Sequence, residues 1–173
     1  MNTKSIILVA DDEEDLREIL VDDVKSLGFD VLEASSGTQA LEILRQNGKN
    51  IDAVMSDINM PGLNGLQLLE TIRKEGIEVP FMFLTGYGDK EKVVTALRLG
   101  AIDFFEKPYE RTKLLAALEK AAEFGRSLRS FQAELDEICK KANVPADQLA
   151  EFRKAQRELL LLKKANTQNK KSA

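Results

Sequence analysis

The sequence predicts an α/β fold: a doubly wound, five-stranded parallel sheet with the strand order 2-1-3-4-5, followed by a C-terminal α-helical extension. Between residue 5 and about residue 124, short apolar or β-branched segments alternate five times with segments of helical periodicity, and the connections between them are short. This alternation favours a parallel sheet covered by helices on both faces. Five repeats are too few for a closed barrel, which needs about eight.

Strands are expected where apolar residues cluster without helical spacing, and helices where they recur every three or four positions. The strand segments are Ile6 to Ala10, Val31 to Ala34, Ala53 to Asp57, Pro80 to Leu84 and Ile102 to Phe105. The helical positions are Leu16, Ile19, Leu20, Val24 and Leu27, then Leu41 and Leu44, then Leu66, Leu69 and Ile72, then Val93, Val94, Leu97 and Leu99. Gly28 and Gly100 stand where the first and fourth helices would end, because glycine suits a helix C-cap.

The fifth helix is predicted to continue into the C-terminal extension. Apolar residues alternate steps of three and four, the spacing of a coiled-coil seam, at Leu114, Ala117, Ala121, Phe124, Leu128, Phe131, Leu135, Ile138 and Ala142. We expect one long helix through Gly125, although a glycine costs a helix about 1 kcal/mol and could instead end it there. Asn143 to Pro145 interrupt the pattern, and a second helix is expected from about Ala146.

Three parts are expected: a folded domain over residues 1–124, a helical, coiled-coil extension over residues 125–165 and a disordered tail over residues 166–173. The domain and the rest of the chain differ in charge, because residues 1–125 hold 14 Lys/Arg against 23 Asp/Glu, whereas residues 126–173 hold 11 against 6. The extension either folds back as a hairpin on its own apolar stripe or, as we expect, mediates homodimerisation or a partner-helix contact through residues 126–165. Two helices and the small Lys170-Lys171 cluster do not favour nucleic-acid binding.

Composition excludes several functional classes. The chain is 43% apolar and 31% charged, as in ordinary soluble proteins. Its sequence has no signal-peptide core and no run near the roughly 18 apolar residues that span a bilayer, so we expect a cytoplasmic location without membrane contact. It has no histidine, which excludes serine-histidine and cysteine-histidine catalysis and any phosphohistidine within the chain. The single cysteine, Cys139, cannot form an internal disulfide.

Polar residues stand at the carboxyl ends of the predicted strands, where an open parallel sheet binds its ligands. Asp11 and Asp12 follow the first strand, Asp57 ends the third, Thr85 follows the fourth and Lys107 follows the fifth. If strands one and three are neighbours, three carboxylates and one ammonium meet there with a net charge of −2. Such a cluster is costly unless it binds a cation, and Mg²⁺ prefers these oxygen ligands.

These residues together resemble the signature of a response-regulator receiver domain of two-component signalling, over residues 4 to about 124. The resemblance implies a flavodoxin-like sheet and phosphorylation of Asp57. It also implies that Asp12 and Asp57 bind Mg²⁺ directly with the backbone carbonyl of Asn59, while Asp11 helps through water. The matching segments are Asp11-Asp12, Asp57-Ile58-Asn59-Met60-Pro61-Gly62-Leu63-Asn64-Gly65, Thr85-Gly86 and Lys107-Pro108.

By the same resemblance, Thr85 and Lys107 contact the phosphoryl group, and the Lys107–Pro108 bond is cis. Thr85 shifts toward the phosphoryl group while an aromatic residue of the fifth strand turns inward. That aromatic is Phe104 here, and it lacks the hydroxyl of a tyrosine, so only inward packing of the ring is expected.

The resemblance also implies that Asn59 and Tyr87 occupy positions that tune the lifetime of the phosphate. A histidine kinase or a histidine phosphotransfer protein would supply the phosphoryl group, docking over the first helix and the loop after the fifth strand. The chain would not be an enzyme on other molecules, because it would catalyse only its own phosphorylation and dephosphorylation.

Other interpretations remain open from the sequence. A haloacid-dehalogenase-type phosphatase also combines Asp, Thr, Lys and Mg²⁺, but its second aspartate would stand at Asn59, whose amide cannot transfer that proton. A non-phosphorylated pseudo-receiver scaffold usually lacks some of these residues, and none is missing here. Asp11 and Asp12 could alternatively be N-cap and first-turn acids of the first helix, which is expected to begin near Glu14.

Overall fold

A computed structural model describes residues 4–86 and 90–143 and, beyond them, residues 145, 148, 151, 152 and 155. Five strands and five helices alternate along the chain. In order they are β1 (Ile6–Ala10), α1 (Glu14–Ser26), β2 (Asp30–Ala34), α2 (Gly37–Asn47), β3 (Ile51–Ser56), α3 (Gly65–Lys74), β4 (Phe81–Thr85), α4 (Lys90–Arg98), β5 (Asp103–Glu106) and α5 (Arg111–Lys141).

The strands form one parallel sheet in the order β2-β1-β3-β4-β5, which confirms the predicted fold class and strand order. Strand β1 has its predicted limits, and the other four strands begin or end one or two residues from theirs. The largest difference is β3, which starts at Ile51 and stops before Asp57. The Asp57 N–H still donates to the Ala10 carbonyl at 2.8 Å, so β1 holds the chain in place where its side chain enters the site.

The sheet has an apolar layer on each face, because consecutive strand residues point to opposite sides. Leu8 and Ala10 belong to one layer, which α2, α3 and α4 cover. Ile7 and Val9 belong to the other, which α1 and α5 cover. Covering helices on both faces explain why the strand sequences read as continuous apolar runs.

Glycines end two of the helices as predicted. Gly28 has φ +81° and donates its N–H to the Lys25 carbonyl at 2.9 Å, and Gly100 has φ +82° and donates to Leu97 at 3.0 Å. A side chain is strained in this left-handed conformation, so glycine suits both positions.

Helix α5 runs unbroken through Gly125, which confirms the prediction of one long helix. Gly125 is buried, and a Cβ atom there would overlap the backbone carbonyl of Asp52 at the start of β3. On the next residue, the Arg126 guanidinium donates to the Ser5 hydroxyl just before β1. Gly125 is therefore a point of close helix–sheet contact and not a helix end.

The first part of the predicted coiled-coil seam belongs to the core beneath the sheet. Leu114 and Ala121 are fully buried in the layer under α1 and α5. Their periodicity therefore has an explanation within the chain. Helix α5 ends at Lys141, and Asn143 adopts a left-handed conformation with φ 51°.

The chain divides into two compact units, Met1–Ser127 and Leu128–Ala173. In the second unit Cys139 is buried, whereas Phe131 and Ile138 are 51% and 62% exposed. The predicted second helix from about Ala146 lies mostly outside the described residues. The expected limits at 124, 165 and 173 stay predictions. Among the helices of the described residues, none combines the length and apolar character needed to cross a membrane.

Candidate functional site

The predicted site residues meet at the carboxyl edge of the sheet. Asp11 directly follows β1, Asp57 directly follows β3, and Thr85 is the last residue of β4. Carboxylate oxygens of Asp11, Asp12 and Asp57 lie within 4.8 Å of one another. Asp11, Asp57 and Thr85 are buried, whereas Asp12 is exposed, so the cluster has one open side.

Lys107 joins this cluster from the segment after β5. Its ammonium donates to Asp11 Oδ2 and to Asp57 Oδ2, both at 3.0 Å, and lies 3.4 Å from Glu13 Oε1. Its backbone N–H donates to the Thr85 carbonyl at 2.8 Å, which fixes it beside the end of β4. The peptide bond from Lys107 to Pro108 is cis, as the resemblance implied.

The backbone around the acidic residues is held by neighbouring segments. The Asp11 N–H donates to the Ala34 carbonyl at 3.1 Å. Beyond Asp57, the Gly65 N–H donates to the Ile58 carbonyl at 2.9 Å, and a Cβ on Gly65 would overlap the Asp57 carbonyl. Gly65, the last residue of the matched segment, therefore lets α3 begin directly against the residue that carries the carboxylate.

Burial and hydrogen bonds shape the ionisation of Asp11 and Lys107. Burial raises the pKa of Asp11 above its usual value, against the opposing effect of its hydrogen bonds from Lys107 and from the Glu13 N–H. For Lys107, burial alone would lower the pKa, but the hydrogen bonds to Asp11 and Asp57 outweigh it and raise the pKa. Lys107 is therefore a cation at neutral pH.

Asp11 and Asp12 are not N-caps of α1. The N-cap residue is Glu13, and its side chain makes no capping hydrogen bond. Asp11 Oδ1 instead accepts the Glu13 N–H at 2.9 Å, which turns the chain between β1 and α1. The interpretation of these aspartates as N-cap and first-turn acids of α1 is therefore wrong, because the acids of its first turn are Glu14 and Asp15.

Asn59 connects the acidic cluster to Thr85 and to α4. Its backbone N–H donates to Asp57 Oδ1 at 3.1 Å, and its side-chain amide donates to Thr85 Oγ1 at 3.4 Å. The Lys92 ammonium donates to the side-chain carbonyl of Asn59 at 3.0 Å. Sequence reasoning missed Lys92, because a lysine among other charged residues of α4 carries no distinguishing signal.

Two aromatic residues, Phe104 and Tyr109, pack on opposite faces of the sheet. Phe104 pairs with Phe83 across β4 and β5, is half-buried and packs against the layer covered by α2, α3 and α4. Tyr109, two residues past Lys107, is half-buried against the opposite layer, and burial followed by the charge of Asp23 raises its pKa. Tyr87 lies outside the described residues.

The donor set fits a small, hard cation. Three carboxylates converge with one ammonium, which leaves the cluster net negative, and Asp12 faces the solvent. Mg²⁺ takes one or two protein carboxylates and keeps several waters, which such a half-open cluster allows.

Comparisons with known proteins show the family to which the chain belongs. The family model "Response regulator receiver domain" matches residues 7–119, which is more than half of the chain. The receiver domain from Clostridium thermocellum has a TM-score of 0.67 and 33% identity, covering 72% of this chain and 98% of that one. The chain belongs to the response-regulator receiver family. Receiver domains of this family are parts of response regulators, which are signalling proteins of two-component systems.

Two curated relatives show how far the likeness extends. The transcriptional regulatory protein FixJ of Bradyrhizobium diazoefficiens is 38% identical over 121 residues, which are 70% of this chain and 58% of FixJ. An NtrX-like response regulator of Rickettsia bellii is 40% identical over 119 residues, which are 68% of this chain and 24% of that protein. The chain thus matches about a quarter to three fifths of the length of these relatives.

Proposed function

We propose that this chain is a phosphorylation-dependent signalling switch that accepts a phosphoryl group on Asp57. The observation that carries the proposal is the placement of the Asp57 carboxylate beside the Lys107 ammonium and two further carboxylates. The two Asp57 oxygens contact different donors, Lys107 and the Asn59 N–H, so the carboxylate is held in a fixed orientation. Phosphoryl transfer depends mainly on such positioning and on charge stabilisation.

In the proposed reaction, an Asp57 oxygen attacks the phosphorus of the donor. The new O–P bond forms as the bond from phosphorus to the donor's leaving group breaks, and the leaving group keeps that electron pair. The Lys107 ammonium and the Thr85 hydroxyl would bind phosphoryl oxygens. The same residues would assist hydrolysis, in which water displaces the phosphoryl group and restores the carboxylate.

Asp11, Asp12 and Asp57 would hold Mg²⁺ together with the backbone carbonyl of Asn59, with Asp11 acting through water. Bound Mg²⁺ supplies positive charge against the phosphoryl oxygens. The local charge supports this assignment, because a phosphoryl group adds about −2 to a cluster that is already negative.

The proposed response to phosphorylation passes through Thr85 and Phe104. Thr85 lies at the end of β4, and Phe104 lies in β5, the strand next to it. Movement of the Thr85 hydroxyl toward the phosphoryl group would leave space behind it for the Phe104 ring, which is half-buried in this state. Asn59 and Tyr87 would tune how long the phosphoryl group persists.

Acetyl phosphate with Mg²⁺ is expected to add one phosphoryl group to the full chain, measured by intact-mass spectrometry. Asp57→Asn should abolish the gain, because an amide nitrogen and oxygen replace the nucleophilic carboxylate. Removal of the divalent cation with EDTA should abolish it in the wild type as well. An unchanged gain in Asp57→Asn would place the acceptor elsewhere and refute the proposed role.

The donor protein would act in trans, because the chain contains no histidine. We expect a histidine kinase or a phosphotransfer protein to dock over α1 and the β5–α5 connection, which flank the acidic cluster. Ile19 of α1 is 55% exposed and would offer the donor protein an apolar contact on this helix.

The output would be homodimerisation or a partner-helix contact through residues 126–165. Phe131 and Ile138 support this proposal, since they are seven residues apart on one face of α5 and both are exposed. Phosphorylation would alter the strength or geometry of that contact.

Phe131→Glu combined with Ile138→Glu is therefore expected to convert a dimer of the full chain into a monomer in light scattering. The reason is that two apolar side chains, which would be buried in the dimer interface, become charged. Ala133→Glu, at an exposed position of the same helix, serves as the control and should leave the mass unchanged. A monomeric wild type, with and without phosphorylation, would exclude self-association.

A further inference from the structure

Three polar side chains form a hydrogen-bonded chain from the candidate site to the first turn of α4. Lys92 donates to Asn59 Oδ1 at 3.0 Å, and Asn59 Nδ2 donates to Thr85 Oγ1 at 3.4 Å. The Asn59 backbone N–H donates to Asp57 Oδ1 at 3.1 Å. Asn59 thus contacts both the proposed acceptor and the proposed switch hydroxyl, and Lys92 holds the outer end of its amide.

The chemistry of the lysine determines the orientation of this amide. An ammonium has donors and no acceptor, so the Asn59 atom facing Lys92 must be the carbonyl oxygen. The amide NH₂ group then faces Thr85, whose hydroxyl oxygen accepts from it. The hydroxyl hydrogen of Thr85 is not used in that contact, so it can be donated to a phosphoryl oxygen.

Loss of Lys92 would release this orientation. The Asn59 amide could then turn over and present its carbonyl oxygen to Thr85, which would take up the hydroxyl hydrogen. A buried hydroxyl engaged in that way is a poorer donor to an incoming phosphoryl group, since the existing hydrogen bond must first break. Thr85 is fully buried, so water does not readily compete with the Asn59 carbonyl for the hydroxyl hydrogen.

We propose that Lys92 is a positioning residue for phosphoryl transfer, which acts through Asn59 to present the Thr85 hydroxyl hydrogen to the phosphoryl group. The same contact ties the first turn of α4 to the state of the site. This inference rests on the proposed function of Asp57 and adds a residue on α4 to its machinery.

The test measures the rate of Asp57 phosphorylation by acetyl phosphate at saturating Mg²⁺ in the full chain. Lys92→Met is expected to slow phosphorylation about threefold to tenfold, the size of one lost hydrogen bond. Lys92→Arg should restore most of the rate, because a guanidinium donates to the same oxygen. Lys90→Met, the same charge change at an exposed position of the same turn, is the control and should keep the wild-type rate.

A double-mutant cycle separates positioning from a general effect of charge. Asn59→Ala keeps the backbone N–H and carbonyl but removes the amide, so Lys92→Met should have no further effect in that background. An undiminished effect of Lys92→Met in Asn59→Ala, an equal effect of Lys90→Met, or a wild-type rate in Lys92→Met would each overturn the inference while leaving Asp57 as acceptor. A wild-type chain that gains no phosphoryl group would instead refute the proposed function itself.

Discussion

Lys107→Met is expected to lower the free energy of unfolding of the metal-free protein by about 2 kcal/mol and to slow phosphorylation of Asp57 about a hundredfold. The ammonium bridges two buried carboxylates at 3.0 Å each, and its removal leaves them facing each other without a cation. Breaking a fully buried pair costs more, but here exposed Asp12 gives water access to the cluster. Urea unfolding in EDTA and phosphorylation kinetics in Mg²⁺ measure the two effects.

Mg²⁺ separates the role of Lys107 from that of the carboxylates. Lys107→Met should bind Mg²⁺ at least as tightly as the wild type, because the cluster becomes more negative, and bound Mg²⁺ should recover most of the lost stability. Lys113→Met, which removes an exposed ammonium of α5, is the control for the loss of charge. Equal losses of Mg²⁺ affinity in Lys107→Met and Asp12→Ala would contradict these separate roles.

Gly125→Ala is expected to lower the free energy of unfolding by about 2 kcal/mol, although alanine is the better helix former. The new Cβ would meet the backbone carbonyl of Asp52, which cannot rotate away as a flexible side chain could. Either α5 or the start of β3 must then shift, and the adjacent contact from Arg126 to Ser5 would be disturbed. Denaturant unfolding of the full chain measures the change.

Ala116→Gly provides the matched control on the same helix. Ala116 is exposed, so this substitution changes helix propensity without touching the sheet, and it should cost about 1 kcal/mol. If propensity alone mattered at residue 125, Gly125→Ala would stabilise the protein by a similar amount. An increase in stability of Gly125→Ala would therefore contradict the close packing of α5 on β3.

The fold was predictable because several local signals agreed. One architecture explained the apolar strand segments, the glycines at 28 and 100 and the polar residues after the strands. The observed strand order is the one that this architecture predicts. The strand limits were less accurate, since backbone pairing extends past the apolar residues. Strand β2, for example, begins at Asp30, and β5 ends at Glu106.

The contacts around the site were only partly predictable. Asp11, Asp57 and Lys107 could be placed together because parallel strands end at one edge of a sheet. Lys92 and Asn59 are 33 residues apart, and their contact depends on how α4 packs, which no local pattern encodes. From the sequence, Gly125 is only a residue that costs a helix stability. Its structural role depends on the backbone carbonyl of Asp52, 73 positions earlier in the chain, which leaves no space for a side chain at residue 125.

Tyr109 makes the site optically accessible in the native chain. The sequence has no tryptophan and two tyrosines, Tyr87 and Tyr109, which stand two positions after Thr85 and Lys107. Tyrosine fluorescence is therefore not masked by a stronger emitter, and its sources flank the two residues assigned to the phosphoryl group. Tyr109 is half-buried, and the charges of Asp23, Lys107 and Arg111 act on it. Its emission is therefore expected to respond to electrostatic change at this edge of the sheet, so no added dye is needed.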